Sequence, residues 1–88
     1  MKLKADFETR NVGDDTLVVL SEQNADNVEK VLKLNRTAAE ILQMVSSGMS
    51  EPEAASAMAK KYTIERERAA SDVKKVLTQL AEQGILEL

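Results

Sequence analysis

Apolar and polar positions follow two different periods along this chain, and the change falls at Leu34-Asn35. Before it lie short, partly β-branched runs at Phe7 to Val12, Thr16 to Leu20 and Val28 to Leu34. Gly13-Asp14-Asp15 separates the first two, and the polar stretch Ser21 to Asn27 separates the second two. Short runs bounded by Gly, Asp, Asn and Ser read as strands of a meander. The third, within "NVEKVLKLN", admits a helical turn as its alternative. As a strand it sets Val28, Lys30, Leu32 and Leu34 on one face and Glu29, Val31 and Lys33 on the other. Leu32 and Leu34 are expected in the core, whereas Val31 is less easily placed inside.

After Asn35 the pattern becomes helical. Asn35 is suited to cap a first turn, and Thr37 with Glu40 also fits the reciprocal Ser/Thr-x-x-Glu arrangement. The first helix then buries Ala38, Ile41, Leu42 and Val45 and stops at "SSG", where Gly48 is free to take a positive φ. Ser50-Glu51-Pro52-Glu53 is a second start, with Ser50 as cap, Glu53 returning a hydrogen bond and Pro52 in the first turn. That helix runs to about Lys61 and presents Ala55, Met58 and Ala59. "KYTIER" links it to the third, with Tyr62 and Ile64 as apolar anchors across the turn. The third helix runs from about Arg66 to Gln83, and Ala69, Val73, Val76, Leu77 and Leu80 form its apolar face. Gly84 ends it, and "ILEL" closes the chain as a short strand or a tail packed on the core.

Three strands (about 7–34) followed by three helices (about 36–83) make an α+β, winged helix-turn-helix-like fold the simplest assembly, as a single domain over 1–88. Composition agrees. With 88 residues there is room for one core, and with one Phe, one Tyr and no Trp that core is built from Leu, Val, Ile, Met and Ala.

Charge and chemistry narrow the function. The chain has no Cys and no His, which removes thiolate nucleophiles, imidazole bases and the usual zinc ligands, so no metal site is expected. Its 15 acidic residues are spread over helix starts, polar helix faces, turns and strands, and its three glycines are isolated at turns, so no catalytic residue is assigned. No enzyme is expected. "MKLKADFETR" is not a signal peptide and no run approaches a membrane span, so a cytoplasmic protein is expected. A net charge of -3 argues against nucleic acid. The alternative is a winged-helix DNA-binding regulator using Arg66, Arg68, Lys74 and Lys75, but Glu65, Glu67, Asp72 and Glu82 share that helix.

A three-stranded sheet leaves edge strands whose N–H and C=O groups are unpaired, and one use for such an edge is strand addition by an extended peptide. Here the sequence resembles the PqqD family. "LNRTAAEILQMV" supplies Leu34, Asn35, Thr37, Ala38 and Ile41; the third helix supplies Asp72 with Val73; and Leu80, Gly84 and Ile85 form its ending. The likeness covers about the last 55 positions, with the earlier strands following in order and length but not in residues. The sequence departs from the pattern at Leu42, where many members have an aromatic residue, at Arg36, where Pro is frequent, and in "SEQNADNVEKV", which lacks the usual Gly and aromatic residues. A divergent stand-alone member is the reading.

The resemblance implies a peptide chaperone that binds the leader of a ribosomally made precursor peptide and presents it to a modifying enzyme, often a radical S-adenosylmethionine maturase. Products of such pathways include pyrroloquinoline quinone. It implies a leader lying along the third predicted strand, in a groove completed by the third helix. On that reading Glu29, Lys30, Val31 and Lys33 dock the leader through the strand, and Asp72, Lys75, Val76 and Gln79, spaced by three or four, line the groove as one stripe. Lys33 and Lys75 attract its carboxylates, and Val31 and Val76 receive its apolar anchors; Val76 equally fits the core spacing. With no cysteine triplet for an iron-sulfur cluster and no cofactor fingerprint, no cofactor is expected and the maturase is a separate chain. The protein itself is expected as a monomer or weak homodimer.

Overall fold

The chain first reverses at Gly13, whose φ of 62° suits a residue without a Cβ. Asp14 has no positive φ, so Val12-Gly13-Asp14-Asp15 fits a two-residue type II′ turn, whose twist matches that of the flanking strands. The computed structural model of the chain describes residues 2–3, 6–21 and 29–87. Within them the elements are β1 (Lys2–Leu3), β2 (Asp6–Val12), β3 (Asp15–Ser21), β4 (Glu29–Asn35), α1 (Arg36–Ser46), α2 (Glu51–Tyr62), α3 (Arg66–Glu82) and β5 (Leu86–Glu87).

The three expected strands form one antiparallel sheet in the order β2-β3-β4, followed by three helices. The helical alternative for the third is not taken; its first expected residue, Val28, and the linker 22–28 lie outside the described residues. A strand the pattern did not announce is β1, which pairs antiparallel with β5, so "ILEL" contributes a strand as well as buried Ile85 and Leu86.

The central strand decides what is inside. Thr16, Val18 and Leu20 of β3 are buried, and their cross-strand neighbours Leu34 and Leu32 of β4 and Phe7 of β2 are half-buried against the same core. Ile41, Leu42 and Val45 of α1, Ala54, Ala55 and Met58 of α2, and Ala69, Val73, Leu77 and Leu80 of α3 complete it. Small residues on α2 let it lie along α3. Ala59, expected inside, and Val76 are half-buried at the margin. The buried Thr16 hydroxyl donates to Asn11 Oδ1 at 3.2 Å, so it does not enter the core unpaired. Among the described residues no helix is long and apolar enough to cross a membrane.

Helix starts follow the sequence closely. Asn35 Oδ1 accepts from the Ala38 N–H at 2.8 Å and caps α1. Ser50 and Glu53 form the reciprocal capping box, and the hydrogen bond from the Ser50 backbone N–H holds the Glu53 carboxyl below its usual range. The second arrangement considered for α1 is not formed. Thr37 donates to Asn35 instead, and Glu40 is drawn away to the end of α2. A tertiary ion pair has displaced a local one.

All three helices end alike. In α1, Met49 N–H donates to Met44 O and Gly48 N–H to Val45 O; in α3, Ile85 N–H donates to Leu80 O and Gly84 N–H to Ala81 O. These are Schellman endings, each turning through a left-handed glycine. In α2, Ile64 N–H donates to Ala59 O, but the left-handed residue is Thr63, with φ 53°. A β-branched residue is strained there. Thr63→Gly is therefore expected to raise the unfolding free energy by about 0.5–1 kcal/mol, the relief of left-handed strain exceeding the extra chain entropy of glycine. Urea titration measures this; a loss of stability would show that the Thr63 side chain holds the turn.

Candidate functional site

The hydrogen-bond pattern of the sheet determines which backbone groups remain free. The type II′ turn makes Val12 and Asp15 a bonded pair, and alternation then bonds Arg10 to Leu17 and Glu8 to Val19. On its other side β3 therefore uses Thr16, Val18 and Leu20, which face Leu34, Leu32 and Lys30. The backbone groups of Val31 and Lys33 are left pointing to the open edge of β4. This is the edge at which the sequence analysis expected a leader to dock.

Beside that edge α3 stands slightly apart: among the described residues it packs chiefly on α2, α1 and β5, and at most lightly on β4. A cavity of about 360 Å³ opens among α1, α2 and α3, and it touches β4 only at Asn35, where the strand hands the chain to α1. Buried Ile41, Met58, Ala69 and Val73 form its floor, and half-buried Ile64 and exposed Tyr62 its wall. Around the mouth are Asn35, Thr37, Asp72, Lys75, Val76 and Gln79. The four residues expected from α3 thus lie together, as their spacing required. Val76 is not wholly buried: half-buried, it lines the cavity and packs against the margin of the core.

The residues expected on the strand are placed differently. Glu29 and Lys30 are positioned by their backbone alone, in β4. Val31 is 53% exposed and shares with Lys33 the sheet face that looks away from the core, so neither side chain lines the cavity. Val31 and Val76 consequently meet opposite faces of any strand added at this edge. Lys33 is ion-paired with Asp15 at 3.2 Å, an exposed contact that holds it only weakly. Of the cavity residues not read as site residues beforehand, Asn35 and Thr37 were legible as caps and as part of the family pattern, Tyr62 and Ile64 as turn anchors, and Ile41, Met58, Ala69 and Val73 as core.

A polar strut fixes the cavity wall. Glu40 of α1 accepts from Lys61 Nζ at 2.8 Å and from the Tyr62 hydroxyl, while Lys61 lies 5.8 Å from the centre of the Tyr62 ring. Partial burial pushes the Glu40 carboxyl up, but hydrogen bonds from Lys61 and Tyr62, with the charges of Lys61 and Arg36, outweigh it and hold the group below its usual range. The Glu40 contact raises both Lys61 and Tyr62. A larger hollow of about 570 Å³ lies on the far side of this strut, between the β2-β3 hairpin and α1. Most of the residues lining it are polar or charged.

A meander followed by three helices, with an open sheet edge running into an apolar hollow beside the last of them, defines the class: a winged-helix-like α+β frame. The chain matches the PqqD family, described as coenzyme PQQ synthesis protein D, over residues 16–86, and it belongs to that family. The match reaches back through β3, where residue likeness had not been visible. Among solved structures the chain is similar to TbiB1 in complex with the TbiA(beta) leader peptide, with a TM-score of 0.77 and 18% identity, over 99% of this chain and 95% of that one. At that identity the likeness speaks for the fold. No curated protein matches the chain.

The strut makes a pH-dependent prediction. A carboxylate with a lowered folded-state pKa adds stability above its unfolded pKa, and that increment is lost as pH falls. Glu40→Gln is expected to cost about 0.5–1 kcal/mol near neutrality, and the cost shrinks as acidification protonates the folded-state carboxylate. Urea unfolding of both proteins from neutrality into the acid range tests this. A difference independent of pH would exclude the charge of Glu40 as its source.

Proposed function

We propose that the protein is a leader-peptide recognition module: it binds the disordered leader of a ribosomally made precursor peptide by strand addition along β4 and presents it to a separate modifying enzyme. The observation that carries this is the alignment of the free backbone groups of Val31 and Lys33 with the apolar cavity at the end of the same strand. PqqD family membership, and a fold shared with a protein determined with a leader peptide, support it.

Each part of the site has a separate task. The edge backbone supplies sequence-tolerant affinity, since any non-proline residue offers the N–H and C=O it needs. Every second leader residue faces the core side, and one apolar residue near Asn35 enters the hollow over Ile41 and Val73. Gln79, Asp72 and Lys75 offer polar contacts at the rim, Lys75 to a leader carboxylate. Glu29 and Lys30 extend the docking backbone. Leader residues of the other parity lie beside Val31 and Lys33 on the outer face. Ordering the leader costs about 2–5 kcal/mol, which places the affinity in the micromolar range rather than the picomolar.

In this reading the protein performs no catalysis; the chemistry belongs to the enzyme that receives the peptide, which a radical S-adenosylmethionine maturase would suit.

Val31→Pro tests the register. The Val31 N–H points out of the sheet, so proline removes a docking donor and leaves the β3-β4 ladder intact. Leader affinity is expected to fall at least tenfold, about 1.4 kcal/mol, with the thermal midpoint changed little. Leu32→Pro removes an inward donor and is expected to destabilise the fold. The ligand is the leader of a small peptide encoded beside the protein, titrated into isotope-labelled protein with a DNA oligonucleotide pool as competitor. Unaltered affinity in folded Val31→Pro would sink the β4 register. Salt-sensitive shifts with DNA alone along Arg66 to Lys75 would replace the reading with a DNA-binding one.

A further inference from the structure

The opposite edge of the sheet is also open, and its chemistry differs. β2 runs for seven residues in unbroken register with β3, and among the described residues no strand pairs with its outer side. It has no proline, no lysine and no bulge, the devices that usually keep a long edge from pairing. The bonded pairs Arg10–Leu17 and Glu8–Val19 leave the N–H and C=O groups of Phe7, Thr9 and Asn11 pointing outward. The Thr16–Asn11 side-chain hydrogen bond agrees, because side chains approach most closely across non-bonded pairs.

The order of residues along this edge is self-complementary. "FETRN" carries Glu8 and Arg10 symmetrically about Thr9, both exposed, and neither has an ion-pair partner among the described residues. We propose that a second copy of this chain pairs antiparallel with β2 about a two-fold axis at Thr9, forming one continuous sheet across two molecules.

The backbone and the charges require the same register. With the axis at Thr9, Thr9 meets Thr9 and Phe7 meets Asn11 of the second copy, so every outward N–H and C=O of these residues is satisfied. Glu8 then lies directly opposite Arg10 of the second copy, twice by symmetry, in non-bonded positions where cross-strand side chains are closest. An axis at Asn11 instead sets Arg10 against Val12 and leaves Glu8 outside the pairing. Because β2 is the edge used, both β4 edges remain open at the two ends of the joint sheet. Dimer formation and leader binding are therefore independent, and either is able to fail without the other.

Sedimentation equilibrium of the full chain over a wide concentration range tests this, in the absence of leader. The wild type is expected to approach twice its 9.7 kDa reversibly. Glu8→Arg and Arg10→Glu each turn two attractions into repulsions and are expected to weaken the dimer about tenfold, and the double exchange E8R/R10E is expected to restore it. Circular dichroism checks that these exposed positions leave the fold intact. A chain that stays monomeric throughout overturns the proposal. So does a dimer indifferent to Glu8→Arg, or one that the double exchange fails to recover; dissociation of such a dimer by added leader would place it on β4 instead.

Discussion

The side-chain parity of β3 is the constraint on which the rest depends. This strand is bonded on both edges and commits Val18 and Leu20 to the core, each removing enough apolar surface from water to be worth about 1.5–3 kcal/mol. A slip of one residue would exchange Val18 for Leu17 and turn the whole set outward. Once the parity is set, nothing about the two edges remains adjustable: the free groups of β4 are those of Val31 and Lys33, and those of β2 are Phe7, Thr9 and Asn11. The core thereby determines which backbone groups each edge presents to its surroundings.

The helices add the second wall and hold it open. α3 is anchored by Ala69, Val73, Leu77 and Leu80 to the other helices, so it does not close on β4. Its less buried stripe, Asp72, Val76 and Gln79, is left along the cavity. The α2-α3 turn sets where that wall begins, and it is the one helix ending made without glycine. Tyr62 is its last helical residue, and the Glu40 strut ties that residue to α1, so the position of the wall follows from a contact between elements far apart in sequence.

Those long-range terms mark the limit of what the sequence disclosed. The Asn35 cap, the Ser50-Glu53 box and the glycine endings are local, and each was legible because its bonded partners sit within five positions of one another; the three sheet strands showed in their own alternation, not in their distant partners. The α3 stripe was legible for the same reason: a fixed helical period places Asp72, Lys75, Val76 and Gln79 side by side. Glu40 was ambiguous because Thr37 offered a local partner and Lys61 a distant one, and only packing decides between them. β1 was invisible, since two residues carry no period. What the sequence could not supply was how the two candidate stretches are set against each other: alternation gave Val31 and Lys33 a common face without saying that the cavity beside α3 lies on the other.

In the proposed leader-binding role, that arrangement separates affinity from selectivity. Backbone pairing along β4 would be indifferent to side chains and would extend with each residue added, whereas the cavity would accept one apolar group at one place. A disordered peptide pays an ordering cost in proportion to the length it fixes, so a short docked segment with a single anchor gives binding that is selective yet readily reversed. Reversibility is what delivery requires, because a leader held as tightly as a protease inhibitor would not leave after modification. Deepening the cavity would strengthen the hold but slow release, since affinity changes within one interface fall mainly on the off-rate. A shallow hollow beside an open edge therefore suits an intermediary better than a deep pocket does.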